Sequence, residues 1–286
     1  MREQFVEVEG GRVWCGVAGE GPGDPLLCVH GGPGSTHDGY LALTNLGRRP
    51  FVFYDQLGSG KSDHPDEDSL WTLDRFVGEI DPIRKALGLE RIHLLGGSWG
   101  GSIAAAYASQ RPAGLRSVIL SSPLISVETW VRDALRLRSE LPDDIQRTLD
   151  SHEENGRTQC PEYVAASLHF YKRHVCRLDP WPEEVELMFE RTNFDIYKKM
   201  WGPNEFTANG TLVGMDVSPG LSRIECPVLF MCGRHDEATP KSTAEFASLV
   251  PTSEVKVHEK SAHLAIFEET AGYLETIEAW LERADS

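Results

Sequence analysis

The 286-residue chain is poor in basic side chains: 28 Lys and Arg stand against 44 Asp and Glu, for a formal net charge of −16. Nucleic-acid binders draw most of their affinity from clustered Lys and Arg, and no such cluster occurs, which argues against a nucleic-acid partner. An acidic field favours neutral or cationic ligands instead. No apolar run approaches the roughly 18 residues needed to span a bilayer. The opening Met1-Arg2-Glu3-Gln4-Phe5 lacks the apolar core of a signal peptide. The expectation is a cytoplasmic protein with no membrane partner. Six cysteines (Cys15, Cys28, Cys160, Cys176, Cys226, Cys232) show no CxxC or other paired metal spacing. They read as reduced, mostly buried small hydrophobes, and no metal is expected. Gly58-Ser59-Gly60-Lys61-Ser62 lacks the Gly-x-x-x-x-Gly-Lys-Ser/Thr spacing of a phosphate loop, so nucleotide binding is rejected and no cofactor is expected.

What is present is an alternation of short apolar runs and helix-period segments. Residues 4–9 and 12–18 alternate around Gly10-Gly11, as an opening hairpin does. Leu26 to Val29, Phe51 to Tyr54, Arg91 to Leu95, Ser117 to Leu120, Pro227 to Cys232 and Glu254 to His258 read as strands, most of them covered on both faces. Helices are predicted over Trp71 to Leu87, Lys241 to Leu249 and Glu268 to Arg283, with Thr72 a possible cap and Gly88 a stop. Between about Pro123 and Gly220 the strand-like runs vanish, leaving helical segments over Glu128 to Glu140, Pro142 to Glu154, Tyr163 to Arg177 and Pro182 to Met200. The division expected is a core of residues 1–122 and 221–286 with a helical cap at 123–220. The fold class is α/β, a mostly parallel doubly wound sheet with an inserted helical cap.

In such sheets ligands sit beyond the carboxyl ends of the strands. The loops after Val29, Leu95, Cys232 and His258 should therefore share one crevice. The stretch Gly96-Gly97-Ser98-Trp99-Gly100, between a strand and the helix-like Ile103 to Ala108, has the form of a nucleophile elbow. A serine there needs neighbours two positions away with almost no side chain, which Gly96 and Gly100 supply. Its hydroxyl is a poor nucleophile without a base and a carboxylate to hold that base. Of ten histidines, His30, His235, His258 and His263 lie near strand ends. His263 follows the last strand, where a loop can swing an imidazole over the sheet edge, and Asp236 follows strand Val228 to Cys232. Ser98, Asp236 and His263 stand in the chain order of an α/β-hydrolase triad. The charge that develops on an attacked carbonyl needs fixed donors: the Trp99 N–H, and one from His30-Gly31-Gly32-Pro33-Gly34, with Gly32 the first choice. A serine rather than an aspartate at the elbow favours acyl transfer over epoxide or haloalkane chemistry.

On these motifs the chain resembles the proline iminopeptidase family of α/β-hydrolases, and more closely its subgroup like the tricorn-interacting aminopeptidase. The residues concerned are His30-Gly31-Gly32-Pro33-Gly34, Asp55-Gln56-x-Gly58-x-Gly60-x-Ser62, Gly96 to Gly101, Trp201-Gly202-Pro203-Asn204-Glu205-Phe206, Gly233-Arg234-His235-Asp236-Glu237 and Ser261-Ala262-His263. The resemblance implies Ser98, Asp236 and His263 as triad, Gly32 and Trp99 as oxyanion donors, and Glu205 and Glu237 as holders of a peptide's free α-ammonium group. Charge-assisted hydrogen bonds to a cation beside the scissile carbonyl give that last role a physical motive. Leu57 stands where many bacterial members carry arginine, which weakens the case for strict proline specificity. The activity expected is release of an N-terminal residue, proline or another small or apolar one, from short peptides. Amino-acid amide hydrolysis is the nearest alternative, a carboxylesterase or lactonase with the same triad the next, and a non-catalytic binding module the remotest.

Overall fold

The computed structural model describes residues 1–285. Eight strands form one sheet: β1 (Arg2–Val8), β2 (Gly11–Ala18), β3 (Leu26–Val29), β4 (Phe51–Tyr54), β5 (Ile92–Gly97), β6 (Leu115–Ser121), β7 (Val228–Gly233) and β8 (Ser253–His258). Their spatial order is β1-β2-β4-β3-β5-β6-β7-β8. The opening hairpin and the β2/β4 pair are antiparallel, and every pair from β4 to β8 is parallel. Residues of β3, β4, β5 and β7 are buried throughout, as continuous apolar runs require when helices cover both faces. Their side chains divide between two cores: Leu27, Val29, Val52 and Leu94 face one, while Leu26, Cys28, Phe53 and Leu95 face the other. The chain steps from β3 to β4 on one side and to β5 on the other, so the strand order reverses at β3. A crevice opens at such a point, and the His30–Gly34 loop leads into it.

The helices are α1 (Leu73–Val77), α2 (Ile80–Leu87), α3 (Trp99–Ala108), α4 (Val127–Arg138), α5 (Asp143–Glu154), α6 (Pro161–His174), α7 (Glu183–Arg191), α8 (Phe194–Met200), α9 (Ser218–Leu221), α10 (Pro240–Ala247), α11 (Ala265–Glu268) and α12 (Thr270–Asp285). Those from α4 to α9 lie between β6 and β7 in the chain. Two long helices expected from periodicity are each broken. The first, from Trp71 to Leu87, divides at Gly78, a weak helix former. Beside the break the buried Glu79 carboxylate accepts the Leu57 N–H at 3.0 Å and pairs with Arg75. The second, from Pro182 to Met200, divides at Asn193. Its N–H goes to the Gly34 carbonyl at 2.8 Å, and its side chain donates to the Gly58 carbonyl at 2.8 Å while capping α8. Bonds to the sheet-edge loops have replaced helical ones there. A 3₁₀ segment, His37–Leu46, was not legible from periodicity. No helix among the described residues is long and apolar enough to cross a membrane.

Candidate active site

The turn between β5 and α3 carries Ser98 at φ 52° and ψ −120°, a conformation costly for a residue with a Cβ. The surrounding backbone fixes it. Ser98 N–H donates to the Ser121 carbonyl at 3.0 Å, and its own carbonyl accepts from Gly101 at 2.9 Å and Leu124 at 3.0 Å. The flanking glycines are there for space: a Cβ on Gly96 would lie 2.2 Å from the Gly100 carbonyl, and one on Gly100 2.2 Å from that of Val29. Gly31 passes over Ser98, close enough that a Cβ on it would stand 3.2 Å from that of Ser98.

His263 and Asp236 meet across the ends of β7 and β8. Asp236 Oδ1 accepts from His263 Nδ1 at 2.9 Å and from the Ala238 N–H at 2.9 Å. Its Oδ2 accepts from the Ser122 hydroxyl at 2.6 Å and the Gly233 N–H at 3.2 Å. Burial pushes the His263 pKa down, but the Asp236 charge and hydrogen bond, with Glu205 beyond, outweigh it and the net direction is up. His263 and Ser98 line the same cavity. No hydrogen bond joins them directly, and such contacts are often loose until a substrate tightens them. The N–H groups of Gly32 and Trp99 have no acceptor among the described residues. Trp99 opens α3, where orphan donors and the helix dipole favour negative charge.

The cavity over Ser98 measures about 120 Å³, room for a group of several heavy atoms rather than one water. Tyr171, Phe189, Phe194 and Tyr197 form its apolar wall, and Glu205 lies among them. Burial raises the Glu205 pKa, against the pull of His263 and the Tyr197 hydroxyl. Glu237 takes a different place from the one its sequence position suggests. It is not in the cavity wall but behind it, bordering a small cleft with Trp130, Asp133 and Thr239. It is 1% exposed, and neither carboxylate oxygen has a hydrogen-bond partner. Burial, then the charges of Glu205 and Asp236, hold its pKa well above the usual carboxylate range. His263 Nδ1 lies 4.0 Å from Glu237 Oε1.

Leu57 is fully buried in the core and does not line the cavity.

Two residues of the site were not anticipated. Ser122 orients Asp236 from a φ of 49° at the end of β6. The Ser121-Ser122-Pro123 run after a strand is its only sequence signal. Trp130, on α4, stands perpendicular to the His263 ring, centroids 5.6 Å apart and planes at 88°, and its Nε1 donates to the Glu205 carbonyl at 3.0 Å. Nothing in the sequence marks it.

Residues 24–270 match the model of the alpha/beta hydrolase fold family. A proline iminopeptidase of Heyndrickxia coagulans is 47% identical over 278 residues, 96% of each chain. One of Saccharolobus solfataricus is 38% identical over 91% of this chain and 86% of its own. Among solved structures, VinJ superposes with a TM-score of 0.95 at 39% identity, and the proline iminopeptidase of Mycobacterium smegmatis with 0.92 at 33%, each over 99% of both chains. With the elbow, the acid–imidazole pair and the Gly-rich loop converging on one cavity, the chain belongs to the proline iminopeptidase family of α/β-hydrolases.

Proposed function

We propose that this protein is a serine aminopeptidase that removes an N-terminal residue, proline or another small or apolar one, from short peptides or amino-acid amides. His263 takes the Ser98 proton as Oγ attacks the carbonyl, and Asp236 steadies the imidazolium that forms. The developing oxyanion is met by the N–H groups of Gly32 and Trp99. His263 then returns the proton to the leaving amine, and water hydrolyses the acyl-enzyme by the same steps in reverse. Residues 123–220 act as a cap that limits access to small substrates. The narrower kinship with tricorn-interacting aminopeptidases rests on the sequence motifs. Reduced cysteines, none of them in a disulfide, support action in the cytoplasm.

The observation that carries this reading is a carboxylate at the cavity, Glu205, with a buried, unbonded one, Glu237, behind it, and no Lys or Arg paired with either among the described residues. Glu205 faces the cavity and Glu237 backs it with two unpartnered oxygens. A free α-ammonium is the group that completes such a pair. An esterase or lactonase has no use for it. The discriminating experiment compares an aminoacyl anilide with its N-acetyl form: only the free amine should turn over well, and equal rates refute the reading. Since His263 must be neutral to accept the proton, kcat/KM should rise with pH through a midpoint above that of an ordinary imidazole. A pH–rate profile whose acid limb falls at or below about 6.5 would contradict that.

A further inference from the structure

Gly31-Gly32 is a peptide between two glycines, with no Cβ on either side to resist rotation. Left to itself it would sample several orientations, yet the proposed oxyanion donor is the N–H of that very peptide. Its carbonyl, Gly31 O, is not free: His30 Nδ1 lies 2.9 Å from it. In a trans peptide the carbonyl and N–H point in opposite directions. Tethering Gly31 O toward the protein interior therefore turns the Gly32 N–H toward the cavity, which Gly31 and Gly32 line.

The tether needs His30 in one tautomer, and Gln56 dictates which. The Gln56 backbone N–H can only donate, and it meets His30 Nε2 at 2.9 Å, so Nε2 is the bare nitrogen and Nδ1 carries the proton. The side chain of Gln56 is fixed as firmly. Its Oε1 must be the atom facing Trp99 Nε1–H at 2.9 Å, and its Nε2 the atom facing the His30 carbonyl at 2.7 Å. The 3.1 Å approach of Gln56 Nε2 to His30 Nδ1 is then a contact between two donors, each already committed to a carbonyl. Both residues are buried, Gln56 at 0% and His30 at 1% exposure. Burial also lowers the His30 pKa to about 4, which keeps the ring neutral and its Nε2 an acceptor.

We infer that His30 and Gln56 are positioning residues of the oxyanion hole: Gln56 selects the His30 tautomer, His30 locks the Gly31–Gly32 peptide, and Gln56 holds the Trp99 ring beside the second donor. One side chain thus couples the two segments that supply the donors. The inference rests on the proposed reading of Gly32 and Trp99 as oxyanion donors, and the test separates the two.

The probes are an aminoacyl aldehyde and the matching aminoacyl alcohol. Ser98 Oγ adds to the aldehyde carbon, its proton passing to His263 and the carbonyl electron pair to oxygen, so the adduct needs the hole; the alcohol binds through its amine and side chain alone. Wild type should bind the aldehyde far more tightly, and if it does not, the oxyanion reading itself fails. In His30→Leu, kcat and aldehyde affinity should fall together by ten- to several-hundred-fold, up to the loss typical of one oxyanion donor. Alcohol affinity should stay within about threefold. His30→Asn, which keeps a donor near the Nδ1 position, should recover most of the loss. Gln56→Met keeps the backbone N–H that sets the His30 tautomer but removes the side-chain bonds to the His30 carbonyl and to Trp99. It should lower kcat and aldehyde affinity together, by a smaller factor than His30→Leu and with alcohol affinity kept, and it carries the test if His30→Leu does not fold. Tight aldehyde binding by wild type that survives in folded His30→Leu or Gln56→Met overturns the inference while sparing the oxyanion reading. Equal losses for aldehyde and alcohol also overturn it, because they mark a merely structural role.

Discussion

Asp236 and Glu237 are adjacent in the chain and equally buried, each 1% exposed, yet their surroundings are opposites. Asp236 accepts four hydrogen bonds, from His263, Ala238, Ser122 and Gly233. Glu237 accepts none. Burying an ionised carboxylate without donors is costly, and an orphaned polar group in a folded protein calls for an explanation. The contrast separates two kinds of acid. One has every acceptor position used by the fold, with an imidazole among its donors. The other is left without a donor by the fold, which is what the proposed amine site requires.

Replacing each acid by its amide is the sharpest way to break that comparison. Asp236→Asn removes the acceptor that sets the His263 tautomer, and kcat should fall by about 10⁴-fold. The loss should be the same for an aminoacyl anilide and for a simple activated ester, because both need the base. Glu205→Gln should instead cost about 2–5 kcal/mol, roughly 30-fold to several-thousand-fold in kcat/KM, and only for free-amine substrates. If the ester suffers as much as the anilide in Glu205→Gln, the separation of recognition from chemistry is lost.

Glu237→Gln should show the trade between stability and function directly. The folded state raises the Glu237 pKa, so it retains a proton that the unfolded chain gives up above its ordinary carboxylate value. The unfolded state then binds fewer protons, and stability falls as pH rises from that ordinary value through the raised one. Removing the carboxylate should stabilise the protein at pH 8 by about 0.5–2 kcal/mol, a few degrees in Tm. At pH 4 the gain should vanish, because the carboxyl is then largely protonated in both states. Thermal melts at the two pH values decide it, and an unchanged or lowered Tm at pH 8 contradicts an uncompensated charge. Free-amine turnover should drop as well, by less than in Glu205→Gln, since Glu237 stands behind the cavity wall.

How far the sequence reveals these two acids differs in the same way. The strands, the elbow and the loops after β5, β7 and β8 announce themselves through local patterns: apolar runs for buried parallel strands and a glycine on each side of Ser98. Topology then gathers Asp236 and His263 without knowledge of side-chain packing. The depth of Glu237 depends on where α4 lies over the sheet edge, and no local pattern encodes that. Ser122 and Trp130 were hidden for the same reason. The first acts through a positive φ, the second through a contact between segments more than a hundred residues apart. The break at Asn193 was likewise set by distant partners, Gly34 and Gly58, whereas that at Gly78 falls on a local signal.

The smallest expected effect comes from Trp130, which touches both sides of the comparison. Its ring packs perpendicular to that of His263, and its Nε1–H donates to the backbone carbonyl of Glu205. Trp130→Phe keeps an aromatic ring near the imidazole but deletes the donor. The loss of one hydrogen bond is worth about 0.5–1.5 kcal/mol, so kcat/KM for a free-amine anilide should fall about two- to tenfold. Ester turnover should change less than twofold, because the acid–base pair keeps its own bonds. If the ester loses as much as the anilide, Trp130 serves the imidazole rather than the carboxylate. Its indole N–H would then be a packing detail, with no part in aiming Glu205.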